Sequence, residues 1–313
     1  MFHRMVQIGA ALSAVWMCAG PTQAAWLYWT DKDANLIQRV NIGAETPVEV
    51  LLSAGDGLSD PRGIAVDPSG GRMYWAENGT GRIRRANLDG SHIQNLITSG
   101  LGFPADVEID VAGGKLYWAD AALGVIRRAN LDGTGIEDVR PGLNQPYYLN
   151  LDVAGGKMYW GEVANTMIHR ANLDGTGAIE DVVIGLVRAR DMALDLPNGM
   201  IYWADRDAAQ IQRRPLAGGA VETLFDASDG LVRPHGLTLD LDAQIVYWAD
   251  TNAHKVMGGN MDGGSPWLVH YAGAGQPWDI VAVPIPEPAV LLLCMSCALP
   301  GLARRIRRRP QAP

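Results

Sequence analysis

The stretch KLYWADAALGVIRRANLDG (Lys115–Gly133) is written again, with few changes, as KMYWGEVANTMIHRANLDG (Lys157–Gly175), and more loosely as RMYWAENGTGRIRRANLDG (Arg72–Gly90). Tyr28-Trp29, Tyr74-Trp75, Tyr117-Trp118, Tyr159-Trp160, Tyr202-Trp203 and Tyr247-Trp248 mark six copies at spacings of 46, 43, 42, 43 and 45 residues. In five copies an Asp stands seven residues before the Tyr (Asp67, Asp110, Asp152, Asp195, Asp240). A turn follows the Tyr by fifteen residues, with Asp89, Asp132, Asp174 and Asp262 in four copies and Gly43 and Ala217 in the other two. All variation in length comes after that turn, so each unit is a rigid segment followed by an adjustable loop.

The segments between turns read as short strands. Gly63–Asp67 is apolar and β-branched, PSGG, VAGG and LPNG are hairpin turns, and RMYWA, RIRRANL and Ser91–Thr98 supply three more strands. Four antiparallel strands per unit of this length form a propeller blade, and six units predict an all-β, six-bladed β-propeller over residues 25–283. The first copy begins directly at Trp26–Asp31, without its first strand. Gln276–Val283 aligns with Phe103–Asp110, so the C-terminal strand is expected to complete the first blade and close the ring.

Alternate strand residues face opposite sides. Each Tyr-Trp pair is therefore expected to place one aromatic on each flank of a blade, burying ~150–250 Å² apiece. The small residue that follows (Thr30, Ala76, Ala119, Gly161, Ala204, Ala249) is read as room for the neighbouring blade. The acid after it (Asp31, Glu77, Asp120, Glu162, Asp205, Asp250) is read as an acceptor for backbone N–H groups, because a feature kept in every copy answers a need of every copy.

The ends have a different character. Residues 1–24 carry His3 and Arg4, an apolar run, and small residues before a cleavage point after Ala24, the pattern of a secretory signal peptide. The tail, 284–313, holds Pro286-Glu287-Pro288, an apolar segment over 289–303, and an Arg cluster over 304–309. Fifteen apolar residues are short for a span, and the Arg cluster places that side in the cytoplasm. All three Cys fall in these ends, so disulfides are not expected to hold the body together. The 20 Lys and Arg and 33 Asp and Glu between the ends leave about −13, which argues against nucleic acid or anionic lipid as a partner.

Two resemblances follow from these motifs. The tail is similar to the PEP-CTERM sorting signal of Gram-negative bacteria. That likeness implies processing by an exosortase at Pro286-Glu287-Pro288, transient anchoring in the inner membrane, and release to the cell surface or the extracellular space. The body, with YWTD, YWAD and YWGE between PxGIAVD and NLDG, resembles the YWTD repeats of low-density-lipoprotein receptor class B. That likeness implies a six-bladed propeller used for binding. Copies five (RRPLAG) and six (GGNMDG) depart from RANLDG. Cys-rich modules flank the propeller in those receptors, so receptor functions are not carried over.

If the repeated positions are architecture, function belongs where copies differ. At the start of the innermost strand one position reads Arg62, Ala105, Tyr147, Arg190, His235, Trp278, and the next reads Gly63, Asp106, Tyr148, Asp191, Gly236, Asp279. Arg62, Asp106, Tyr147, Tyr148, Arg190, Asp191, His235, Trp278 and Asp279 are thus the candidate ligand-binding residues, at the mouth of the central channel. No H-E-x-x-H or G-x-S-x-G is present, and no catalytic residue, metal ligand or cofactor is assigned. The expected function is a non-catalytic module that binds an extracellular protein or polysaccharide. The alternative is a metal-dependent, lactonase-like hydrolase using Asp106, Asp191 and His235.

Overall fold

The computed structural model describes residues 25–43, 46–163 and 166–284. The expected leader, residues 1–24, and all of the expected sorting tail but Pro284, with Pro286, Glu287 and Pro288, lie outside the described residues. Among the described residues no helix is long and apolar enough to cross a membrane.

Twenty-four strands form six four-stranded antiparallel sheets. Blade 1 joins β1 (Ala25–Asp31), β2 (Leu36–Asn41) and β3 (Glu49–Leu52) to β24 (Pro277–Pro284). Blade 2 is β4 (Pro61–Asp67), β5 (Arg72–Glu77), β6 (Arg82–Asn87) and β7 (Gln94–Ile97). Blade 3 is β8 (Pro104–Asp110), β9 (Lys115–Asp120), β10 (Val125–Asn130) and β11 (Glu137–Pro141). Blade 4 is β12 (Pro146–Asp152), β13 (Lys157–Glu162), β14 (Met167–Asn172) and β15 (Glu180–Ile184). Blade 5 is β16 (Ala189–Asp195), β17 (Met200–Asp205), β18 (Gln210–Pro215) and β19 (Glu222–Phe225). Blade 6 is β20 (Pro234–Asp240), β21 (Ile245–Asp250), β22 (Lys255–Asn260) and β23 (Trp267–Tyr271). The two ends of the array meet as expected, with Trp29 opposite Ile280 and Tyr28 opposite Val281.

The Tyr-Trp pairs pack as the alternation requires. Tyr28 of blade 1 lies in one cluster with Met73 and Trp75 of blade 2. The same Tyr-to-next-Trp contact repeats through Tyr74–Trp118, Tyr117–Trp160, Tyr159–Trp203, Tyr202–Trp248 and, across the closure, Tyr247–Trp29. The six Trp of these pairs are fully buried. Loss of one such side chain is worth ~3–5 kcal/mol, so the interfaces rather than disulfides hold the ring.

The expected fourth strand at Ser91–Thr98 is shorter, Gln94–Ile97. Asp89 captures both the amide and the hydroxyl of Ser91, at 2.9 and 2.6 Å, and His92 takes φ 54°. That side-chain turn competes with the ladder for the first residues.

Four of the acids after Tyr-Trp, Asp31, Asp120, Asp205 and Asp250, accept backbone amides within their own blade. Asp120 takes N–H from Gly102 and Phe103 (both 2.8 Å) and from Leu123 (3.1 Å). Asp205 takes Val187 and Arg188, Asp250 takes Val232 and Arg233, and Asp31 takes Gln276 and Ala34. Each therefore pins the loop that leads into the innermost strand. Glu77 departs from this. Its longer side chain turns to Trp75 Nε1, Thr80, Arg82 and Arg84 instead.

Candidate functional site

Five of the six innermost strands begin with Pro, and β16 begins with Ala189. Each of the six loses register one or two residues further on, for example between Pro61 and Ile64 in β4 and between Pro234 and Leu237 in β20. Pro lacks the ladder N–H, and a bulge re-aims side chains. The two non-repeating positions of the sequence fall at these bulges, around one end of the central channel.

The second of those positions alternates around the ring. Asp106 accepts the amides of Val107 and, in the next blade, Leu149, both at 2.8 Å. Asp191 accepts Met192 and Leu237, both at 2.7 Å, and Asp279 accepts Ile280 (2.9 Å) and Ile64 (2.7 Å). Three carboxylates thus clamp blade 3 to 4, 5 to 6 and 1 to 2. Between them stand Gly63, Tyr148 and Gly236. A Cβ on Gly63 would overlap Asp106 Oδ1 and stand 2.5 Å from its Cα. One on Gly236 would stand 2.6 Å from Asp279 Cα and from Trp278 O. Close backbone approach makes the other junctions, except in blade 4, where Tyr148 is buried among Tyr159, Met192 and Trp203. A Cβ on Gly161 would overlap the Tyr148 ring. The small residue at 161 therefore makes room for a side chain of its own blade, not of the neighbouring one.

Below the three aspartates the channel holds a cavity of about 290 Å³, bordered by Glu108, Asn150, Thr238 and apolar strand residues. Glu108 Oε1 accepts from Asn150 Nδ2 at 3.3 Å. Burial, reinforced by the charge of Asp279, pushes the Glu108 carboxyl up to about 8. Burial also holds Asp106 and Asp191 well above the usual range, with Asp279 the first neighbouring charge, and raises Asp279 to about 6. Glu108 and Asn150 were missed by sequence reasoning. Their signal was available: each lies two residues beyond a mouth position and so shares its face of the strand.

Above the aspartates the predicted residues converge on one funnel, whose floor has room for about 10 Å³. The Trp278 ring packs on His235, tilted by 38°, at 3.7 Å and carries the Arg62 guanidinium at 4.3 Å. Arg62 donates to Tyr147 Oη (3.2 Å) and pairs with Asp60 at 2.8 Å. Arg190 lies 4.8 Å over Tyr147, and Phe103, which sequence reasoning missed, packs against that ring, tilted by 35°, at 5.9 Å. Burial, then Arg190, Arg206 and Arg62, hold His235 well below its ordinary value, so the ring is neutral. Beside the funnel is a pocket of about 340 Å³, walled by Phe103, Ala121, Ala122, Gln145, Tyr147, Val163 and Arg190.

Among the described residues no group of three or more His, Cys, Asp or Glu is arranged to hold a metal ion. The carboxylates of Asp106 and Asp191 are engaged by backbone amides, and His235 packs on Trp278.

Residues 71–111 match the family described as low-density lipoprotein receptor repeat class B. Nidogen-2 of Mus musculus is 38% identical over 65 residues, which is 21% of this chain and 4% of that protein. Low-density lipoprotein receptor-related protein 4 of Homo sapiens is 34% identical over 64 residues, 20% of this chain and 3% of that protein. The chain thus matches only a few per cent of the length of these relatives. Among solved structures, the crystal structure of a nidogen/laminin complex superposes with a TM-score of 0.74 at 21% identity, covering 83% of this chain and 98% of that one. Virginiamycin B lyase from Staphylococcus aureus superposes with a TM-score of 0.52 at 18% identity, covering 73% of this chain and 71% of that one. These likenesses agree with the sheet topology and the Tyr-to-Trp interfaces: the chain is a six-bladed β-propeller whose residues 71–111 match the low-density lipoprotein receptor class B repeat.

Proposed function

We propose that the chain is an exported, non-catalytic binding module of the cell surface or extracellular matrix, and that it takes a partner protein at the channel mouth. One observation carries this reading. The side chains that do not repeat, Arg62, Tyr147, Arg190, His235 and Trp278, are gathered at one end beside an open pocket, while the repeating ones are used in packing. The likeness to nidogen, whose solved complex contains laminin, supports a protein partner. The leader and the Pro286-Glu287-Pro288 tail support export followed by exosortase processing in a Gram-negative cell. The hydrolase alternative lacks a free ligand set, because the two aspartates it needs already accept four backbone amides.

The test is capture from the extracellular fraction of the source cells by the immobilised full chain. Capture of a defined protein should fall sharply in Phe103→Asp and Tyr147→Ala, with near-ultraviolet circular dichroism unchanged. Capture indifferent to both changes would refute the mouth as the site. Metal-dependent turnover of lactones or esters would instead favour the hydrolase.

A further inference from the structure

The body of the protein is acidic, yet the funnel wall carries an arginine with no acidic partner. Arg190 is only 8% exposed. Its Nε is buried and unbonded, and no carboxylate among the described residues pairs with it. Its guanidinium lies over the Tyr147 ring at 4.8 Å, and burial, with the charges of Arg206 and Arg188 adding to it, pulls the guanidinium down to about 10. Asp207, the acid nearest those arginines, is shared by Arg188 (3.4 Å), Arg206 (2.8 Å) and Arg233 (3.4 Å). His235 Nε2 faces the same funnel, also buried and unbonded. A buried charge is ordinarily paired, because leaving it alone costs several kcal/mol. Arg190 lines both the funnel and the apolar pocket beside it.

Resting on the mouth as the binding site, we infer that Arg190 receives the carboxylate of an acidic side chain presented by a loop of the partner protein, with the adjoining apolar part of that loop seated against Phe103, Ala121, Ala122 and Val163. The aromatic faces argue for a peptide over an acidic polysaccharide. Trp278 already carries His235 and the Arg62 guanidinium, and Tyr147 carries Arg190 and Phe103, so each ring is engaged by side chains of the mouth itself. The planar guanidinium suits a carboxylate in two-point contact.

The experiment uses the full chain, a fluorescein-labelled dodecapeptide of Gly-Glu-Val repeats, and its Gln counterpart, read by anisotropy. The Glu peptide should bind at least tenfold tighter than the Gln peptide. Arg190→Gln should lose at least tenfold for the Glu peptide while melting about 2–4 °C higher than wild type, because it removes an unpaired buried charge. Oligogalacturonate at equal carboxylate concentration should not displace the peptide. The inference is overturned by equal binding of the two peptides, by no binding of the Glu peptide at millimolar concentration, by unchanged affinity in Arg190→Gln, or by a lower melting temperature in that variant. It is overturned in favour of a polysaccharide if oligogalacturonate competes. If Arg190→Gln binds the natural partner normally while Tyr147→Ala does not, the carboxylate inference fails and the mouth stands. If neither change affects partner capture, both fail.

Discussion

Gly161 and Tyr148 should behave as one unit. A methyl added at Gly161 would overlap Cζ, Oη and Cε2 of Tyr148. The ring is 3% exposed and is hemmed in by Tyr159, Met192 and Trp203, so it has no space into which to withdraw. Overpacking of this kind costs ~1–3 kcal/mol, so Gly161→Ala alone should destabilise by about that much. Tyr148→Gly alone should cost more, ~3–5 kcal/mol, since it empties a buried aromatic site. The double variant recreates the pairing of blades 2 and 6, where Gly63 and Gly236 occupy the position of Tyr148 and Ala76 and Ala249 that of Gly161. It should therefore cost less than the sum of the single changes by ~1–3 kcal/mol, a favourable coupling well beyond the few tenths expected of independent sites. Urea titration followed by tryptophan fluorescence gives the three free energies, provided the slopes agree. Additivity within about 0.5 kcal/mol would show that Gly161 serves some other contact, and would refute the account of blade 4.

Three further outcomes follow from the same geometry. Gly63→Ala should destabilise by at least ~2 kcal/mol in urea, because two of its obstacles, Asp106 Cα and Val107 N, are backbone and cannot rotate away; a neutral result would remove the close-packed junction. Asp120→Ala strips the acceptor from three amides, including Phe103 N, and should cost ~3–5 kcal/mol while weakening partner capture, since the loop bearing Phe103 loses its anchor; a stability change under 1 kcal/mol would contradict the pinning role. Glu108 sets a pH dependence: its folded value of about 8 lies above the ordinary 4.5, so the folded chain binds the proton more tightly. Its contribution is complete below about pH 4.5 and is lost as the pH rises through 8, at up to ~1.4 kcal/mol per unit. Melting temperature should therefore fall between pH 5 and 8, and Glu108→Gln should flatten that slope; an unchanged slope would assign the dependence to other groups.

The blade interfaces were legible because every blade needs the same contact. Tyr and Trp at fixed offsets announce a flank each, and Tyr28 on Trp75 or Tyr247 on Trp29 realises that reading without adjustment. The closure was legible for the same reason, since β24 carries the pattern that β1 lacks. The column Gly63, Asp106, Tyr148, Asp191, Gly236, Asp279 was visible too, but its acids read as recognition groups. Their partners are amides of Leu149, Leu237 and Ile64, and a backbone N–H leaves no mark on the sequence. The acid after Tyr-Trp could be read as an amide acceptor because it recurs six times; an acid in three blades of six could not.

That distinction also bears on where recognition resides. Sequence comparison between blades separates repeating from non-repeating positions, but it does not separate a residue that differs to bind from one that differs to let its neighbour fit. Asp106, Asp191 and Asp279 differ from Gly63 and Gly236 because a clamp and a close approach alternate around the ring. Arg190 shows no such pairing: its buried Nε has no hydrogen-bond partner, and its guanidinium lies over Tyr147. Among side chains that the ring does not need, the one whose burial is unfavourable in the free protein is the one a ligand must satisfy. By that criterion the proposed recognition at the mouth would rest on Arg190 and the pocket beside it, while the three aspartates already serve the blade junctions.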